Sequence, residues 1–431
     1  MTKVGIMGGT FNPVHISHLL IAARAYDYLN LDKVLFMPSK MPPHKPQSEL
    51  VSEKDRCAML EEAIKDYPFF ELSDFELLRD GVTYTADTLT LLKEKNPDTK
   101  YYFIIGGDSL DYFDSWHNPD IILKNSVLVC APRASESRLT RNVKKDTLGT
   151  VTEKKEYIEY DYESIVRNLC ENFKEQNDDG TWFIPEIVLL PSLLVSVSSS
   201  QIREYVRCGQ NISCMVPKGV EEYILSKQLY CDPEFERMKT IQKEYLKPKR
   251  YRHILDVAAT AYKLAVCHGV DPVKAYTAGL LHDCAKHLDD EEIIKVAEKS
   301  GIEIDEVERR NASNLLHSKV GSVWACEKFG IKDKEILSSI YYHTTGKPDM
   351  SKLELIIYLS DMLEPGREIE LKPSLDVIRT IATYDLELAI FHILDNVVPY
   401  ILKNYRENVC MMTVDTYDYY NELIASRNKI L

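Results

Sequence analysis

Short apolar runs alternate with amphipathic segments through the first half of the chain. The apolar runs include VGIMGG, KVLFMPS, YYFIIGGDS and SVLVCAPR, and the segments between them include HISHLLIAARAYDYL, CAMLEEAIKDY and YTADTLTLLKEK. Strands that alternate with helices are typical of βαβ units, whose strands form a parallel sheet. The pattern therefore predicts an N-terminal α/β domain, in which LLVSV forms a further strand that runs into the helix SSSQIREYVRCG.

A different pattern begins at about Lys243, where the β-rich runs end and one amphipathic helix succeeds another. Between the halves lies the polar, proline-containing segment CDPEFERMKTIQKEYLKPKR, which is typical of a boundary. We predict an α/β domain over residues 1–231 and an all-helical domain over residues 232–431, each folding independently. A charged segment from Ala134 to about Gly180 interrupts the sheet pattern, and we interpret it as an insertion of unassigned role.

The composition excludes several classes of function. A length of 431 residues fits two domains, and the formal net charge of −14 argues against wrapping nucleic acid, which requires cationic contacts to phosphate. The first residues lack a signal-peptide core, and no apolar run approaches the roughly 20 residues of a membrane span. Ten cysteines without a CxxC pair indicate reduced thiols. We therefore expect a cytoplasmic protein with small-molecule partners and neither nucleic acid nor membrane, while homo-oligomerisation stays open.

The stretch GGTFNPVHISH lies between the first predicted strand and the first predicted helix. Glycines at such a turn let the backbone approach a ligand, and a helix N-terminus presents free N–H groups to an anion. His15 and His18 are three residues apart, so both imidazoles point the same way, although histidines there oppose the helix dipole. Phosphate oxygens above them would explain the placement. The alternative is a tight turn with exposed histidines.

A second stretch, SSSQIREYVRCG, predicts another helix N-terminus at the same edge of the sheet. Ser198 and Gln201 have the spacing of a capping box, and Arg203 falls in the first predicted turn, where the dipole disfavours a cation. An arginine there would have a purpose if it reached a polyphosphate. The alternative is a solvated arginine after a serine-rich loop.

Together GGTFNPVHISH and SSSQIR resemble the paired signature of the nucleotidyltransferase superfamily with an HxGH motif, and Ser17 replaces the usual glycine between the histidines. The stretches MPSKMPPHK, GVTYTADTL, IIGGDSLDYFDSW and VCAPR resemble bacterial nicotinate-nucleotide adenylyltransferase in particular. The resemblance implies transfer of AMP from ATP to nicotinate mononucleotide, with Mg²⁺ bound. Nicotinamide mononucleotide, phosphopantetheine and cytidylyl transfer are the alternatives.

The same resemblance assigns roles to individual residues. It implies that His15, His18 and Arg203 are catalytic. The implied ATP-binding residues are Gly8, Gly9, Thr10, Phe11, His15, His18, His44, Lys45, Ser199, Ser200 and Arg203. The implied acceptor-binding residues are Tyr84, Thr85, Asp108, Trp116 and Arg133, with Trp116 stacking on the pyridine ring and Thr85 bonding its carboxylate.

Six ionisable residues lie on the apolar faces of the predicted C-terminal helices. A lone histidine there is usually a satisfied core residue, but an unpaired buried carboxylate is costly. Four histidines and two aspartates on successive helices supply N and O ligands suited to one or two octahedral first-row transition ions. The six are His253, His282, Asp283, His317, His343 and Asp361.

Their order resembles the HD-domain metal phosphohydrolases, and RYRHILDVA, LLHDCAK, LLHSKVGSVWA, YYHTTGK and IIYLSDMLEPGR resemble the bacterial YqeK type. The resemblance implies symmetrical hydrolysis of diadenosine tetraphosphate to two ADP at two metal ions, either iron or manganese. It places Asp283 between the ions, Lys286 at the reacting phosphate, and Thr345, Gly346 and Arg367 on the other phosphates. A nucleotide-sensing module or a different nucleotide phosphohydrolase remains the alternative.

Overall fold

The structure is a computed structural model that describes residues 1–428 apart from 41–49, 80, 133–136, 146–150, 160, 193–194, 196 and 406–408. It divides into two compact units. The N-terminal unit comprises Met1–Val206 and Asn211–Tyr230, and the C-terminal unit comprises Arg207–Gln210 and Cys231–Leu431.

A six-stranded sheet with the order β10-β5-β4-β1-β2-β3 forms the centre of the N-terminal unit, and each neighbouring pair is parallel. The predicted α/β fold is therefore confirmed. The sheet strands are β1 (Thr2–Gly9), β2 (Lys33–Pro38), β3 (Phe70–Leu72), β4 (Thr99–Gly106), β5 (Ser126–Ala131) and β10 (Ile187–Leu189).

Helices cover both faces of this sheet, because its central strands are apolar on both sides. One core contains the apolar residues of α1, α2, α7 and α8, and a second core on the other face contains those of α3, α5 and α6. The helices are α1 (Ile16–Leu29), α2 (Glu53–Ile64), α3 (Thr85–Lys95), α4 (Gly107–Leu110), α5 (Pro119–Asn125), α6 (Tyr162–Asn172), α7 (Ser199–Arg207) and α8 (Lys218–Ser226).

The predicted insertion is more regular than its sequence indicates. It contains the antiparallel pair β6 (Ser137–Lys145) and β7 (Val151–Glu159), the helix α6, and a small hairpin of β8 (Glu175–Gln176) and β9 (Trp182–Phe183). Because Leu169 of α6 is buried in the core beneath the sheet, α6 belongs to the α/β fold itself. The β6–β7 pair and the β8–β9 hairpin form small sheets of their own, separate from the six-stranded sheet.

The predicted strand LLVSV lies in part outside the described residues, which leave out positions 193, 194 and 196. Its described members Val195 and Val197 are in no strand. The last sheet strand in the described part of the chain is β10, upstream of Pro191, and it pairs with β5. Arg203 is also the fifth residue of α7, which places it in the second turn rather than in the first.

The described part of the C-terminal unit is helical, as the sequence predicts. Gly279 of α11 has its Cα beside Ala258 of α10, and a Cβ on Gly279 would lie 2.8 Å from the Cα of Ala258. The helices are α9 (Pro233–Tyr245), α10 (Pro248–His268), α11 (Pro272–Leu281), α12 (Asp290–Lys299), α13 (Glu306–Arg310), α14 (Ala312–Glu327), α15 (Lys334–Tyr342), α16 (Lys352–Leu363), α17 (Leu375–Ala382), α18 (Leu386–Asn404) and α19 (Met411–Asn428).

Two further sequence expectations concern the membrane and the cysteines. Within the described residues, every helix is too short or too polar to cross a bilayer. All ten cysteines lie in the described part of the chain, and each is a free thiol.

We expect a fragment of residues 1–230 and a fragment of residues 232–431 to fold separately, because each unit has its own buried core. Circular dichroism should show a cooperative thermal transition for each fragment. A control fragment that ends at residue 228 should melt at a lower temperature than the 1–230 fragment, because it lacks Leu229 and Tyr230, which pack on the core. Insolubility of either longer fragment would show that the halves depend on each other.

Candidate active sites

A buried arginine hydrogen-bonds the loop between β1 and α1. Arg56 of α2 is only 1% exposed, and its guanidinium donates to the carbonyl oxygens of Thr10 at 2.9 Å and Ser39 at 2.8 Å. It thus ties this loop to the carboxyl end of β2. No sequence motif indicates this role, because Arg56 lies on an ordinary amphipathic helix far along the chain.

Residues from α7 and from the end of the unit hold the other side of the loop. Arg203 donates to the carbonyl oxygen of Asn12 at 2.8 Å, and the Ser199 hydroxyl donates to the carbonyl oxygen of Pro13 at 2.8 Å. The hydroxyl of Tyr230 donates to Oδ1 of Asn12 at 3.0 Å. The two signature stretches that the sequence singled out therefore meet at one edge of the sheet. Contact of Ser199 and Arg203 with ATP stays a prediction.

The two histidines of the first stretch lie side by side at the carboxyl end of β1. His15 is the N-cap of α1, His18 lies in its first turn, and their rings stack with centroids 3.7 Å apart. The backbone N–H of His15 donates to Nδ1 of His18 at 3.2 Å, which fixes the orientation of that ring. The ring of Phe11 meets His18 edge-on at 5.0 Å. This arrangement directs both imidazoles toward the edge where ligands of parallel sheets bind.

Ser17 stands where the motif has glycine, and the structure gives its side chain a function. It is buried, and its hydroxyl oxygen accepts the backbone N–H of Val197 at 3.0 Å. The hydroxyl lies 3.5 Å from the carbonyl oxygen of Val195. The serine therefore links the start of α1 to the segment that leads into α7.

Two of the predicted acceptor residues lie at the N-terminus of α3. Tyr84 is the N-cap of α3, Thr85 is its first residue, and the ring of His117 packs on Tyr84 at 4.1 Å between centroids. Trp116 is half-buried against Phe113, 5.4 Å between centroids. The sequence analysis did not identify His117, although it follows directly on the motif that contains Trp116.

Asp108 lies just beyond the carboxyl end of β4. Its carboxylate occupies the space beside Gly106, where a Cβ would come within 2.7 Å of Oδ1. The same oxygen accepts the backbone N–H of Ser109 at 3.1 Å. Glycine at 106 is therefore required for this carboxylate to lie over the end of the strand.

A buried carboxylate, that of Glu76, hydrogen-bonds residues at the start of α3. Glu76 accepts hydrogen bonds from the hydroxyls of Thr88 at 2.8 Å and Thr83 at 3.3 Å. Burial raises the pKa of Glu76. Since Thr83 precedes Tyr84 and Thr88 lies in α3, the carboxylate holds the N-terminus of that helix in place. Sequence reasoning missed Glu76.

The other predicted residues of the N-terminal unit lie at the end of β1, in α7, or outside the described part of the chain. Gly8 and Gly9 end β1, and the exposed Ser200 accepts a hydrogen bond from Arg203 at 3.2 Å. His44, Lys45 and Arg133 lie outside the described residues, so their roles stay predictions.

In the C-terminal unit, the six predicted ligands come together around the carboxylate of Asp283, which is 2% exposed. Oδ2 of Asp283 lies 3.5 Å from Nε2 of His282 and 3.8 Å from Nε2 of His253. Oδ1 lies 3.3 Å from Nε2 of His317 and 3.8 Å from Nε2 of His343. Each carboxylate oxygen therefore faces a different pair of histidines.

Asp361 completes one side of this cluster. Its Oδ1 lies 3.0 Å from Nε2 of His253 and 3.9 Å from Nε2 of His282. Two overlapping groups, His253–His282–Asp361 and His282–Asp283–His343, bring their ligand atoms within 4.8 Å of one another. A carboxylate between two pairs of imidazole nitrogens is a donor set that could hold divalent metal ions.

Hydrogen bonds orient the imidazoles with Nε2 toward this centre. Nδ1 of His282 donates to the carbonyl oxygen of Gly279 at 2.7 Å, and Nδ1 of His343 donates to that of Ile340 at 2.8 Å. Such a bond leaves Nε2 with a lone pair. Among the described residues, Nε2 of His253 and of His282 is buried without a well-aligned hydrogen-bond partner. These atoms fit a metal ion.

Electrostatics and burial keep Asp283 and His343 in the form that binds metal. Burial would raise the pKa of Asp283, but His282 and His317 hold it well below its usual range. Burial, together with the neighbouring histidines His282 and His317, lowers the pKa of His343 to about 3. Asp283 is therefore ionised and His343 neutral at physiological pH, as metal ligands must be.

Cations border the cluster. Arg250 donates to Oδ2 of Asp283 at 2.6 Å, and Arg367 donates to Oδ1 of Asp361 at 2.6 Å. Lys286 donates to the carbonyl oxygen of Ser313 at 2.8 Å, and burial lowers its pKa. The sequence analysis identified Lys286 and Arg367 but missed Arg250, whose position at the start of α10 is typical of any solvated arginine.

The loop after α15 presents a different threonine from the one that we predicted. Thr345 is buried, and its hydroxyl lies 3.1 Å from the carbonyl oxygen of Gly346. The hydroxyl of Thr344 instead lies 3.2 Å from Nε2 of His317. Gly346 has a φ of +67°, and a Cβ there would come within 2.8 Å of Thr416. Phosphate contacts of Thr345 and Gly346 stay predictions, while Thr344 is the residue that faces the cluster.

Comparison with known proteins assigns each half. Residues 6–205 match the family model described as cytidylyltransferase-like, and residues 250–366 match the HD domain. A protein of Lachnoclostridium phytofermentans named "Probable nicotinate-nucleotide adenylyltransferase" is 39% identical over 230 residues, which cover 53% of this chain and 100% of that protein.

The chain belongs to the nicotinate-nucleotide adenylyltransferase family and carries an HD domain behind it.

Two solved structures are also similar to parts of the chain. A protein of Clostridium acetobutylicum described as a "predicted HD superfamily hydrolase involved in NAD metabolism" is 37% identical, covers 44% of this chain and 97% of its own, and has a TM-score of 0.41. Nicotinic acid mononucleotide adenylyltransferase of Plasmodium falciparum, complexed with NaAD, is 18% identical, covers 53% of this chain and 98% of its own, and has a TM-score of 0.40. The HD match at residues 250–366 contains all six clustered ligands.

Glu364 is a further residue of the HD domain that sequence reasoning missed. It is 4% exposed, and its Oε1 lies 3.2 Å from Nδ1 of His253. A carboxylate behind a ligating histidine fixes the ring and raises its basicity. Glu364 also accepts the backbone N–H of Gly366, so it joins the histidine to the turn after α16.

We expect Glu364→Leu to lower metal affinity by about 10–100-fold, the range found when such supporting groups are removed. Glu364→Gln, which keeps the shape and one acceptor, should have a smaller effect. Competition with a chelator, followed by elemental analysis, measures the affinity. Glu368→Gln, an exposed change in the same loop, is the matched control. Unchanged metal affinity in Glu364→Leu would contradict the positioning role.

Proposed function

We propose that the N-terminal unit transfers the adenylyl group of ATP to nicotinate mononucleotide. The observation that carries this proposal is the stacked pair His15 and His18, set over a loop that Arg56, Arg203 and Ser199 hold in place. The relative at 39% identity supports the same reaction. An oxygen of the acceptor phosphate attacks the α-phosphorus of ATP, the bond from that phosphorus to the bridging oxygen breaks, and pyrophosphate leaves.

This reaction requires positioning and charge stabilisation rather than a protein nucleophile. The imidazoles of His15 and His18 donate hydrogen bonds to phosphate oxygens as charge develops on them. Arg203 keeps the β1–α1 loop in position through Asn12. Mg²⁺ accompanies ATP and neutralises the leaving pyrophosphate. The N-terminus of α3, with Tyr84 and Thr85, receives the pyridine carboxylate of the acceptor.

We expect the full chain to prefer nicotinate mononucleotide over its amide by about 10–100-fold in kcat/KM, since a hydrogen bond to a charged group contributes about 1.5–3 kcal/mol. Steady-state assays of pyrophosphate release with the two acceptors measure the ratio. Thr85→Val should narrow the ratio, whereas Thr90→Val, on the same helix, should not. An equal or reversed preference in the unaltered chain would reject the acceptor and leave the reaction class in place.

For the C-terminal unit, we propose hydrolysis of diadenosine tetraphosphate into two ADP at two metal ions, iron or manganese. The observation that supports this proposal is that the two carboxylate oxygens of Asp283 face separate pairs of histidines. His253, His282 and Asp361 would hold one ion, His317 and His343 the other, and Asp283 both. When bound, such ions supply a hydroxide from water at neutral pH and stabilise charge on phosphate.

The chain's own residues supply the remaining functions. Nδ1 hydrogen bonds keep the histidine rings in place, and Glu364 keeps His253 oriented. Lys286 and Arg367 present positive charge to the polyphosphate. Water adds to a central phosphorus, the central P–O–P bond breaks, and the bridging oxygen leaves with the second ADP.

Removal of Asp283 tests this proposal most directly, because that carboxylate serves both ions. Asp283→Ala should lose most of the bound metal, abolish hydrolysis, and lower the melting temperature of the metal-loaded protein, since ligands that bind only the native state stabilise it. Adenylyl transfer should survive. Elemental analysis, calorimetry and both activity assays measure these outcomes. Glu291→Ala on the exposed surface of α12 is the control.

Two results would reject the hydrolase. One is metal-free protein, verified by elemental analysis, that still splits diadenosine tetraphosphate. The other is an Asp283→Ala protein that retains two metal ions per chain. Intact metal binding without any phosphohydrolase activity would favour a nucleotide-sensing module.

A further inference from the structure

Two clefts of the C-terminal unit meet at the histidine cluster. The larger, of about 760 Å³, lies between the start of α10 and the turn after α16, and His253, Glu364 and Arg367 are part of its wall. The smaller, of about 390 Å³, lies between the end of α9 and the start of α14. We name them the main cleft and the side cleft. Lys247 and Arg250 line both, so these two cations form the boundary between them.

Each cleft reaches a different side of the cluster. The main cleft contains His253, which faces Oδ2 of Asp283. The side cleft contains Lys286, whose Nζ lies 3.2 Å from Nδ1 of His317, and His317 faces Oδ1 of Asp283. Arg250, at the boundary, contacts Asp283 itself. The clefts therefore approach the two halves of the cluster from two directions.

The lining of the side cleft is suited to an anion that carries an aromatic group. It contains the cations Lys247, Arg250 and Lys286, and no carboxylate occurs among the residues that line it in the described structure. Tyr245 packs on His287 with ring centroids 4.0 Å apart. The Tyr245 hydroxyl is buried and has no hydrogen-bond partner among the described residues. Both cleft volumes fall within the roughly 300–1,000 Å³ of small-molecule sites.

We propose that the side cleft is a second nucleotide subsite, which binds one nucleoside diphosphate arm of a two-armed polyphosphate ester while the main cleft binds the other arm. This inference rests on the hydrolase function proposed above. A polyphosphate that crosses the boundary at Lys247 and Arg250 has its central phosphates beside Asp283 and one arm in each cleft. The arrangement explains why the substrate is a dinucleoside polyphosphate rather than a mononucleotide.

Asn314 offers a way to test the subsite without disturbing the fold. It is exposed, lines the side cleft, and its side chain makes no hydrogen bond in the described structure. Asn314→Glu adds a negative charge where we expect a phosphorylated arm. Asn404→Glu adds the same charge at an exposed position of α18 outside both clefts and is the matched control.

Hydrolysis of diadenosine tetraphosphate and of ATP would be compared in the full, metal-loaded chain. Asn314→Glu should lower kcat/KM for the two-armed substrate by about tenfold or more, as one unfavourable charge contact would. It should change kcat/KM for ATP by less than about twofold, because ATP that loses its terminal phosphate at the cluster has a single ADP arm, which needs only the main cleft. Asn404→Glu should change neither value. An equal loss on both substrates, or no loss on the two-armed one, would overturn the second subsite.

Calorimetric titration with ADP separates this proposal from the hydrolase itself. The unaltered chain should bind one more ADP per chain than Asn314→Glu, whether or not it hydrolyses either substrate. If hydrolysis is absent but that difference is found, the subsite stands and the hydrolase fails. If hydrolysis is present and both proteins bind the same number of ADP molecules, the subsite is wrong and the hydrolase stands.

Discussion

The C-terminal unit depends on how it accommodates one buried negative charge. Asp283 lies in the turn after α11 with 2% of its surface exposed, and an unpaired carboxylate there would cost several kcal/mol. Helices α10 and α14 and the residue after α15 each contribute an imidazole toward it, and Arg250 contacts it directly. The close helix crossing at Gly279 and Ala258 brings α10 near enough for this. The close packing of α10 on α11 is therefore what allows the buried charge of Asp283 to be compensated.

The N-terminal unit solves a related problem with backbone oxygens rather than carboxylates. The loop between β1 and α1 has several carbonyl groups that no strand or helix satisfies. Arg56 donates hydrogen bonds to two carbonyl oxygens at the sheet edge, and Arg203 and Ser199 donate to two more. Since these donors come from two helices far apart in the chain, α2 and α7, the loop can hold its shape before a nucleotide binds. Such preorganisation is what a transfer reaction without a protein nucleophile requires.

Much of this could be read from the sequence, because motifs for phosphate and metal chemistry use residue types that local structure would otherwise reject. Histidines at a helix N-terminus and an aspartate inside an apolar helical run both contradict local preference, and both lie at the proposed sites. The supporting residues gave no such signal. Arg56, Glu364 and Arg250 occupy positions where a solvated side chain is unremarkable, and only packing shows that each contacts the site.

The sequence by itself determined the fold class, the order of two unlike halves, and the six histidine and aspartate residues that cluster in the C-terminal unit, since all of these follow from periodicity and residue type along the chain. Only the tertiary structure decided that the two oxygens of Asp283 face separate histidine pairs, that Ser17 accepts a bond from Val197, and that two clefts meet at Arg250. The reason is physical. Periodicity reports which face of an element is buried, whereas the partner of a buried polar group depends on the crossing of elements that are far apart in the chain.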